Sequence, residues 1–260
     1  MAPISSTVAI TGASSGIGTA LAFRYARQGA TIGLIGRNQE RLQSVAAECR
    51  SLGANVCVGE IDVRARAELL HWLEAFDDAR PVDLLIANAG VMEGTPPGGM
   101  IESPDAAYDL MQTNVLGVLN TVQPLIPRMI TRRRGQIAIV SSIAGFIPLP
   151  DSPSYCASKA AVLNYGLALR TLLRPYGIGV NVICPGYVIT PMMQKEAGMK
   201  PFAVSANAAA NLIVRGLQKN RSIIAFPRLF GLITRLGGLL PDNVRRRTIP
   251  RFTVGARVDS

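Results

Sequence analysis

Histidine and cysteine are scarce in this sequence, and their scarcity excludes most metal sites. The chain has one histidine, His71, which cannot build a histidine-based metal centre by itself. No CxxC pair and no zinc-type spacing occurs among its four cysteines, Cys49, Cys57, Cys156 and Cys184. We therefore predict no metal site, and we expect reduced, mostly buried thiols, as in a cytoplasmic protein.

Long apolar runs are also missing. The most apolar late segment, 223–240, is interrupted by Pro227, Arg228 and Arg235, so it is a poor membrane span. The amino terminus has no basic region followed by an apolar stretch, so we expect no secretory signal. Residues 228–236 alternate basic and apolar side chains. Such a helix could rest on an anionic membrane surface, cover a cleft or form a subunit interface, and peripheral membrane contact stays an alternative.

Acidic residues are few beside basic ones, with 17 Asp and Glu against 27 Lys and Arg and a formal net charge of +10. A basic chain can favour anionic cofactors, nucleic acid or membrane surfaces. The two arginine runs, 132–134 and 245–247, have no interleaved aromatic residues and no nucleic-acid-binding motif around them. We interpret both runs as solvated charge and predict no nucleic-acid partner. A nucleic-acid binder is the alternative that charge alone suggests.

The 260 residues that are present alternate short apolar runs with longer helical patterns, without repeats or linkers. This alternation predicts βαβ crossovers and one domain, 1–260, with a Rossmann-like, doubly wound α/β fold. We expect a seven-stranded parallel sheet with helices on both faces. The predicted strands are 8–10, 31–35, 56–60, 84–87, 136–141, 179–184 and 223–226. The predicted helices are 16–28, 39–52, 66–76, 105–131, 155–176 and 205–219.

A glycine-rich turn follows the first predicted strand and precedes the first predicted helix. Its three glycines serve a tight turn, close approach of the backbone to phosphate, and close packing of helix on strand. The helix directs its free N–H groups towards a pyrophosphate. A structural turn rich in glycine is the alternative. The predicted dinucleotide-binding residues here are Gly12, Ser14, Ser15, Gly16, Ile17 and Gly18.

The second predicted strand ends at Gly36 and Arg37, where an acidic residue would select the free 2′-hydroxyl of NAD. Neither residue carries a carboxylate that would repel a 2′-phosphate, and the Arg37 guanidinium can pair with one. We therefore predict NADP(H) as the cofactor. The alternative is a surface arginine that points elsewhere.

Tyr155 and Lys159 are four residues apart in a predicted helix, so they share one helix face. Tyrosine normally loses its proton near pH ~10. A nearby ammonium group favours the phenolate, which lets the phenol exchange a proton with a substrate oxygen closer to neutral pH. The pair alone is common by chance and could be an exposed helical pair.

Together these motifs resemble the short-chain dehydrogenase/reductase family, in its compact single-domain form, over about residues 7–190. The resemblance implies that Asp62 and Val63 contact the adenine, and that Ser142 stands at the family spacing before Tyr155. Asn114 occupies the position of the family's fourth catalytic residue. The remaining residues with implied cofactor contacts are Asn88, Ala89, Gly90, Tyr155, Lys159, Pro185, Gly186, Val188 and Thr190.

The resemblance also implies the role of each catalytic candidate. Ser142 would hold the substrate oxygen, and Tyr155 would be the general acid or base. Lys159 would bind the nicotinamide ribose and bias the tyrosine pKa, while Asn114 would support a water that relays protons to Lys159. The implied reaction is hydride transfer between NADP(H) and a carbonyl or alcohol substrate.

The predicted substrate residues are mostly apolar, which favours an apolar pocket with a mobile loop at about 187–204; the alternative is that half of them belong to the core. They are Ser142, Ala144, Phe146, Tyr187 and Met192, with Met193, Met199 and Phe202 nearby. The family resemblance implies a homodimer or homotetramer through helices 105–131 and 155–176. Two further alternatives stay open: an idle cofactor sensor or scaffold, and an epimerase or dehydratase that acts on a sugar derivative.

Overall fold

The structure is a computed structural model that describes residues 6–96, 99–194 and 202–227. The predicted basic tail 228–260, including the arginine run 245–247, lies outside the described residues, as does Met199. Among the described residues, no helix is long and apolar enough to cross a membrane.

The core of the fold is a seven-stranded sheet in the order β3-β2-β1-β4-β5-β6-β9, and every pairing is parallel. The order reverses between β1 and β4, which makes this a doubly wound sheet and confirms the predicted fold class. Each predicted strand is present, and its ends differ from the prediction by at most one residue. The strands are β1 (Thr7–Thr11), β2 (Thr31–Gly36), β3 (Asn55–Glu60), β4 (Leu84–Ala87), β5 (Gly135–Val140), β6 (Ile178–Pro185) and β9 (Ile223–Phe226).

Helices cover both faces of the sheet, and each face has its own buried cluster. Leu21 of α1, Leu42 of α2 and Ile213 of α9 pack on one face. Leu73 of α3 and Leu169 of α7 pack on the other. The helices are α1 (Gly16–Ala26), α2 (Gln39–Ser51), α3 (Arg66–Ala79), α4 (Pro104–Met111), α5 (Gly117–Val122), α6 (Ile126–Arg132), α7 (Pro153–Leu173), α8 (Pro191–Gln194) and α9 (Ala206–Gln218).

The sequence predicts one continuous helix over 105–131, and that prediction is wrong because the helix is interrupted twice. After α4 the chain forms a π-helical turn at Gln112–Leu116, and a 3₁₀ turn at Gln123–Leu125 separates α5 from α6. Pro124 and Pro127 lie at this second interruption and lack the N–H that an uninterrupted helix needs. The π turn holds Asn114, and single π turns inside helices often occur at functional sites.

A two-stranded parallel sheet, β7 (Val188–Ile189) with β8 (Val204–Ser205), was not predicted. These strands are too short to carry a recognisable hydrophobic pattern. β7 and β8 lie at the two ends of the predicted substrate loop, so their pairing holds the ends of the loop together.

In the arginine run 132–134, Arg133 and Arg134 are exposed, as the sequence predicts, whereas Arg132 is largely buried. Arg132 donates hydrogen bonds of 2.8 Å to the buried carboxylate of Asp77 and of 2.8 Å to the carbonyl of Val82. Arg134 pairs with Asp83, and Arg133 donates to a backbone carbonyl. Arg132 and Arg134 thus pair with carboxylates at the end of α3 and just before β4, about 50 positions away along the chain. The expectation of mostly buried thiols agrees with the structure, in which Cys49, Cys156 and Cys184 are buried and Cys57 is exposed on the edge strand β3.

The helix that carries Tyr155 and Lys159 lies very close to β6. A Cβ atom added at Gly166 of α7 would lie 2.5 Å from Cγ2 of Val182. Alanine is favoured over glycine in a helix by about 1 kcal/mol, but overpacking a core costs about 1–3 kcal/mol. We expect Gly166→Ala to lower the free energy of unfolding, measured by urea denaturation. In a Val182→Ala background the same change should cost nothing, and an equal loss in both backgrounds would contradict this packing.

Candidate active site

The glycine turn folds back tightly on itself at the carboxyl end of β1. Gly12 and Gly16 adopt φ values of +66° and +57°, which side chains rarely tolerate. A Cβ atom at Gly12 would lie 2.8 Å from Cα of Ala89, and one at Gly18 would overlap the carbonyl oxygen of Gly12. The three glycines therefore allow β1, α1 and the end of β4 to meet without side chains between them.

Thr11 and Asn88 bind the glycine turn to the end of β4. The Asn88 amide donates to the carbonyl oxygens of Thr11 and Gly12 at 3.0 and 3.1 Å. The Thr11 hydroxyl accepts from the backbone N–H groups of Asn88 and Ala89 at 3.1 and 3.3 Å. Thr11 was missed as a functional residue, although a buried threonine between an apolar strand and a glycine turn could have indicated it.

A cleft of about 480 Å³ opens beside this turn, between α1, α2 and the start of α9. Ser14, Ser15 and Gly16 form one side, Thr190 lies opposite, and Arg41 lies at its edge. α1 begins here without a side-chain cap from Ser15. A helix start at a glycine turn, with an arginine nearby, suits the phosphates of a dinucleotide.

Arg37 and Asp62 lie together at the ends of β2 and β3. Their closest charged atoms are 3.7 Å apart, and the Arg37 side chain is 58% exposed. Arg64 also donates to Asp62 through two side-chain nitrogens, at 3.0 and 2.8 Å. Burial acts to raise the pKa of Asp62, but the hydrogen bonds from Arg64 outweigh it and hold that pKa below its usual value. The site therefore combines a fully charged carboxylate with an exposed guanidinium.

Tyr155 and Lys159 are one helical turn apart near the start of α7, and both are buried. The Lys159 ammonium lies 5.6 Å from the centre of the Tyr155 ring and donates to the carbonyl oxygen of Val140 at 3.3 Å. The alternative of an exposed helical pair is therefore wrong. The β5 strand ends at Val140, so the pair lies at the carboxyl edge of the sheet, as ligand sites in this fold class do.

Burial lowers the pKa of Lys159 to about 8, and Cys184 acts in the opposite direction. The side chain is 5% exposed, so the charged form has lost most of its hydration. A pKa near 8 leaves the ammonium mostly protonated at neutral pH, where it can still stabilise a phenolate at Tyr155.

Asn114 is fully buried and connects the end of β4 with α7. Its Oδ1 accepts from the backbone N–H of Val91 at 2.8 Å, and its Nδ2 donates to the Val91 carbonyl at 2.9 Å. Nδ2 also donates to the Ser158 hydroxyl at 3.1 Å. A Cβ atom on Gly90 would lie 3.1 Å from Oδ1 of Asn114 and 3.3 Å from the Lys159 ammonium. Gly90 therefore leaves the space in which these two groups approach each other.

The two serines after β5 have different surroundings. Ser141 is buried, and its hydroxyl donates to the carbonyl oxygen of Lys159 at 2.7 Å, which fixes β5 to α7. Ser142 is half-buried, accepts from the backbone N–H of Ala144 at 3.1 Å, and lies 3.5 Å from the carbonyl oxygen of Pro185. Of the two serines, Ser142 is the more exposed.

The predicted substrate residues lie in different surroundings. Ala144 belongs to a small apolar cluster with Tyr155 and Cys156, whereas Phe146 packs against the core cluster around Val182. Met192 and Phe202 are 41% and 71% exposed, on opposite arms of the substrate loop. The Tyr187 carbonyl accepts from Val204 at 3.0 Å, which holds the base of the loop together.

Comparisons with known proteins agree with this geometry. The family model for short chain dehydrogenases matches residues 6–200. An uncharacterized oxidoreductase of Myxococcus xanthus is 32% identical over 256 residues, which is 96% of each chain. A short chain dehydrogenase/reductase from Burkholderia phymatum, solved in complex with NAD, superposes with a TM-score of 0.81 at 25% identity, over 95% of this chain and 96% of that one. A short-chain dehydrogenase from Sphingobium yanoikuyae, in complex with NADPH, gives 0.77 at 26% identity, over 91% and 96%.

The protein belongs to the short-chain dehydrogenase/reductase family of oxidoreductases. The predicted family resemblance is confirmed, and so is the Rossmann-like sheet.

The buried ammonium of Lys159 has a consequence for stability. Because its folded-state pKa is about 8 and its ordinary value is 10.5, the unfolded chain holds a proton that the folded chain releases between those pH values. The contribution of Lys159 to the free energy of unfolding should therefore rise from pH 8 to 10.5. Burial raises the pKa values of Cys49 and Tyr25 and acts in the opposite direction, so the rise is read as the difference between the wild type and Lys159→Met. Lys159→Met removes the buried charge, so it should add about 1–3 kcal/mol to the free energy of unfolding at neutral pH and lose the pH-dependent rise.

Urea denaturation across this pH range measures both effects, with Lys219→Met as the matched control, because Lys219 is an exposed lysine at the end of α9. A Lys159→Met variant less stable than the wild type at neutral pH would show that the ammonium is not a net cost to the fold.

Proposed function

We propose that the protein is an NADP(H)-dependent oxidoreductase that interconverts a carbonyl and an alcohol. The observation that carries this proposal is the buried Lys159 ammonium, which lies 5.6 Å from the centre of the Tyr155 ring. A charge is costly to bury, and an ammonium that lowers the pKa of an adjacent phenol gives a proton donor suited to carbonyl reduction. Perturbed groups of this kind cluster at functional sites.

Each catalytic candidate then has a defined task. Ser142 holds the substrate oxygen, and Tyr155 gives it a proton in reduction or takes one in oxidation. Lys159 stabilises the phenolate that forms and binds the nicotinamide ribose. Asn114 positions a water that returns protons to Lys159. When bound, the nicotinamide nucleotide supplies or accepts the hydride.

The choice of NADP(H) rests on the chain's own residues, because the similar structures include one bound to NAD and one bound to NADPH. Gly36 has no side chain, and a Cβ there would lie 3.4 Å from the Ser14 hydroxyl, so the end of β2 lies close to the glycine turn. The exposed Arg37 guanidinium follows directly. A hydroxyl and a guanidinium in this place favour a 2′-phosphate. Asp62, which lies 3.7 Å from Arg37 and accepts hydrogen bonds from Arg64, is the residue proposed to contact the adenine.

The substrate class follows from the residues around Tyr155. Tyr155 belongs to an apolar cluster with Ala144, and Val91, Met92 and Leu149 pack against that cluster, which favours a carbonyl compound with an apolar body. Sugar derivatives fit this lining less well.

Exposed apolar side chains of Tyr108, Leu116 and Leu172 favour the predicted self-association through the α4–α5 region and α7.

The proton donor can be tested by Tyr155→Phe, which keeps the ring and its packing. We expect turnover to fall by at least about 1000-fold, because proton transfer is lost. The affinity for NADPH, measured by fluorescence titration, should change less than about threefold. NADPH oxidation across a panel of ketones and aldehydes is the assay. Tyr165→Phe is the matched control, since that tyrosine lies further along α7. Turnover retained by Tyr155→Phe would exclude the assignment.

The cofactor preference can be tested by Arg37→Asp. We expect the Kd for NADPH to rise about 10- to 100-fold, because a guanidinium–phosphate contact is replaced by repulsion. The Kd for NADH should stay within about threefold, since NADH has no 2′-phosphate. Arg27→Asp makes the same charge change on an exposed arginine at the end of α1 and should leave both values unaltered. An unchanged preference in Arg37→Asp would overturn the proposal.

A further inference from the structure

The loop between β4 and α4 contacts the first turn of α7, the helix that contains Tyr155. The carboxylate of Glu102 accepts the backbone N–H of Ser154, at 3.1 Å on Oε2 and 3.3 Å on Oε1. Oε2 also accepts from the Ser154 hydroxyl at 2.5 Å. Ser154 directly precedes Tyr155, so a side chain 52 positions away along the sequence binds the residue next to the proton donor.

Glu102 replaces the cap that the helix would otherwise supply itself. Ser152 is the N-cap residue of α7, but its side chain makes no capping hydrogen bond. Its hydroxyl is buried and has no hydrogen-bond partner in the part of the chain that the structure describes. A serine at this position normally accepts from an N–H in the first turn. The first turn of α7 also has no acidic residue of its own, and a carboxylate there is favourable because of the helix dipole.

A second contact joins the same two segments. The backbone N–H of Thr95 donates to the carbonyl oxygen of Asp151 at 2.8 Å. Met92 from one segment and Leu149 from the other also pack against the apolar cluster that contains Tyr155. The β4–α4 loop therefore forms one wall around Tyr155, and Glu102 attaches that wall to the helix.

We propose that Glu102 is a positioning residue for Tyr155, which holds the first turn of α7 and the β4–α4 loop in the geometry that proton transfer needs. The proposal rests on the proposed function, since it assigns Glu102 to the reaction in which Tyr155 is the proton donor.

The position of Tyr155 in the helix explains why such a residue is needed. Tyr155 is the third residue of α7, and helix ends fray because their first N–H groups lack partners within the helix. Lys159 lies one turn further on and is bound to Val140, so it does not depend on the helix start. A small rotation of the first turn would move the Tyr155 hydroxyl relative to Lys159. Displacements of about 1 Å can reduce turnover by about 100-fold.

Three substitutions separate the contributions. Glu102→Ala removes every contact to Ser154. Glu102→Gln removes the charge but can keep the geometry, because its oxygen can accept the Ser154 N–H while its amide nitrogen donates to the Ser154 hydroxyl. Glu93→Ala is the matched control, since Glu93 is an exposed glutamate on the same loop and has no hydrogen bond or ion pair to α7 among the described residues.

The wild type and the three variants are compared in steady-state kinetics with NADPH and the best carbonyl of the panel. We expect kcat of Glu102→Ala to fall about 10- to 100-fold, with the NADPH affinity unchanged. Glu102→Gln should recover most of that loss, and Glu93→Ala should equal the wild type. Amide hydrogen exchange, read on peptides that cover 149–158, should be faster in Glu102→Ala alone.

Two results would overturn the proposal: kcat of Glu102→Ala within about twofold of the wild type, or equal losses in Glu102→Ala and Glu102→Gln with unchanged exchange at 149–158. Failure of the proposed function would look different, because the wild type itself would then bind NADPH without reducing any carbonyl. In that case the exchange measurement alone decides whether Glu102 holds the helix start, and unchanged exchange in Glu102→Ala rejects it.

Discussion

The ammonium group of Lys159 lies buried at the carboxyl end of β5, and the rest of the candidate active site is arranged around it. An isolated charge in such a place is unfavourable, and here its partner within the chain is the carbonyl oxygen of Val140. The surrounding structure leaves room for this group through Gly90, which has no side chain, and holds the buried Asn114 beside it. Under the proposed function, the buried charge stabilises the phenolate of the neighbouring Tyr155.

The sheet brings these groups together because its strand order reverses between β1 and β4. Loops that follow neighbouring strands diverge at that point and leave a crevice, where the glycine turn and the end of β4 meet. Thr11 and Asn88 close the contact between them. The same edge of the sheet carries Ser142 after β5 and Pro185 at the end of β6. The residues predicted to contact the cofactor and those predicted to transfer protons therefore share one edge of the sheet, although they come from distant parts of the sequence.

The sequence predicted much of this architecture. Seven apolar runs gave strands with ends correct to one residue, because buried parallel strands read as continuous apolar segments. The glycine turn was also predictable from the sequence. A Cβ atom at position 18 would overlap the carbonyl oxygen of Gly12, so only glycine fits there. The continuous helix 105–131 was predicted wrongly. The helical pattern of the sequence continues through the π turn and does not reveal it. The hydrogen bonds of Asn114 with Val91 and Ser158 favour that turn.

By itself, then, the sequence determined the order of the elements, the place of the glycine turn, and the four-residue spacing that puts Tyr155 and Lys159 on one helix face. These features depend on residues close together in the chain, so local chemistry is sufficient to specify them. Only the tertiary structure decided that Lys159 is buried, that Arg132 pairs with Asp77, and that Glu102 rather than Ser152 binds the first turn of α7. Those outcomes depend on which distant segments the sheet brings into contact, and no local pattern records that choice.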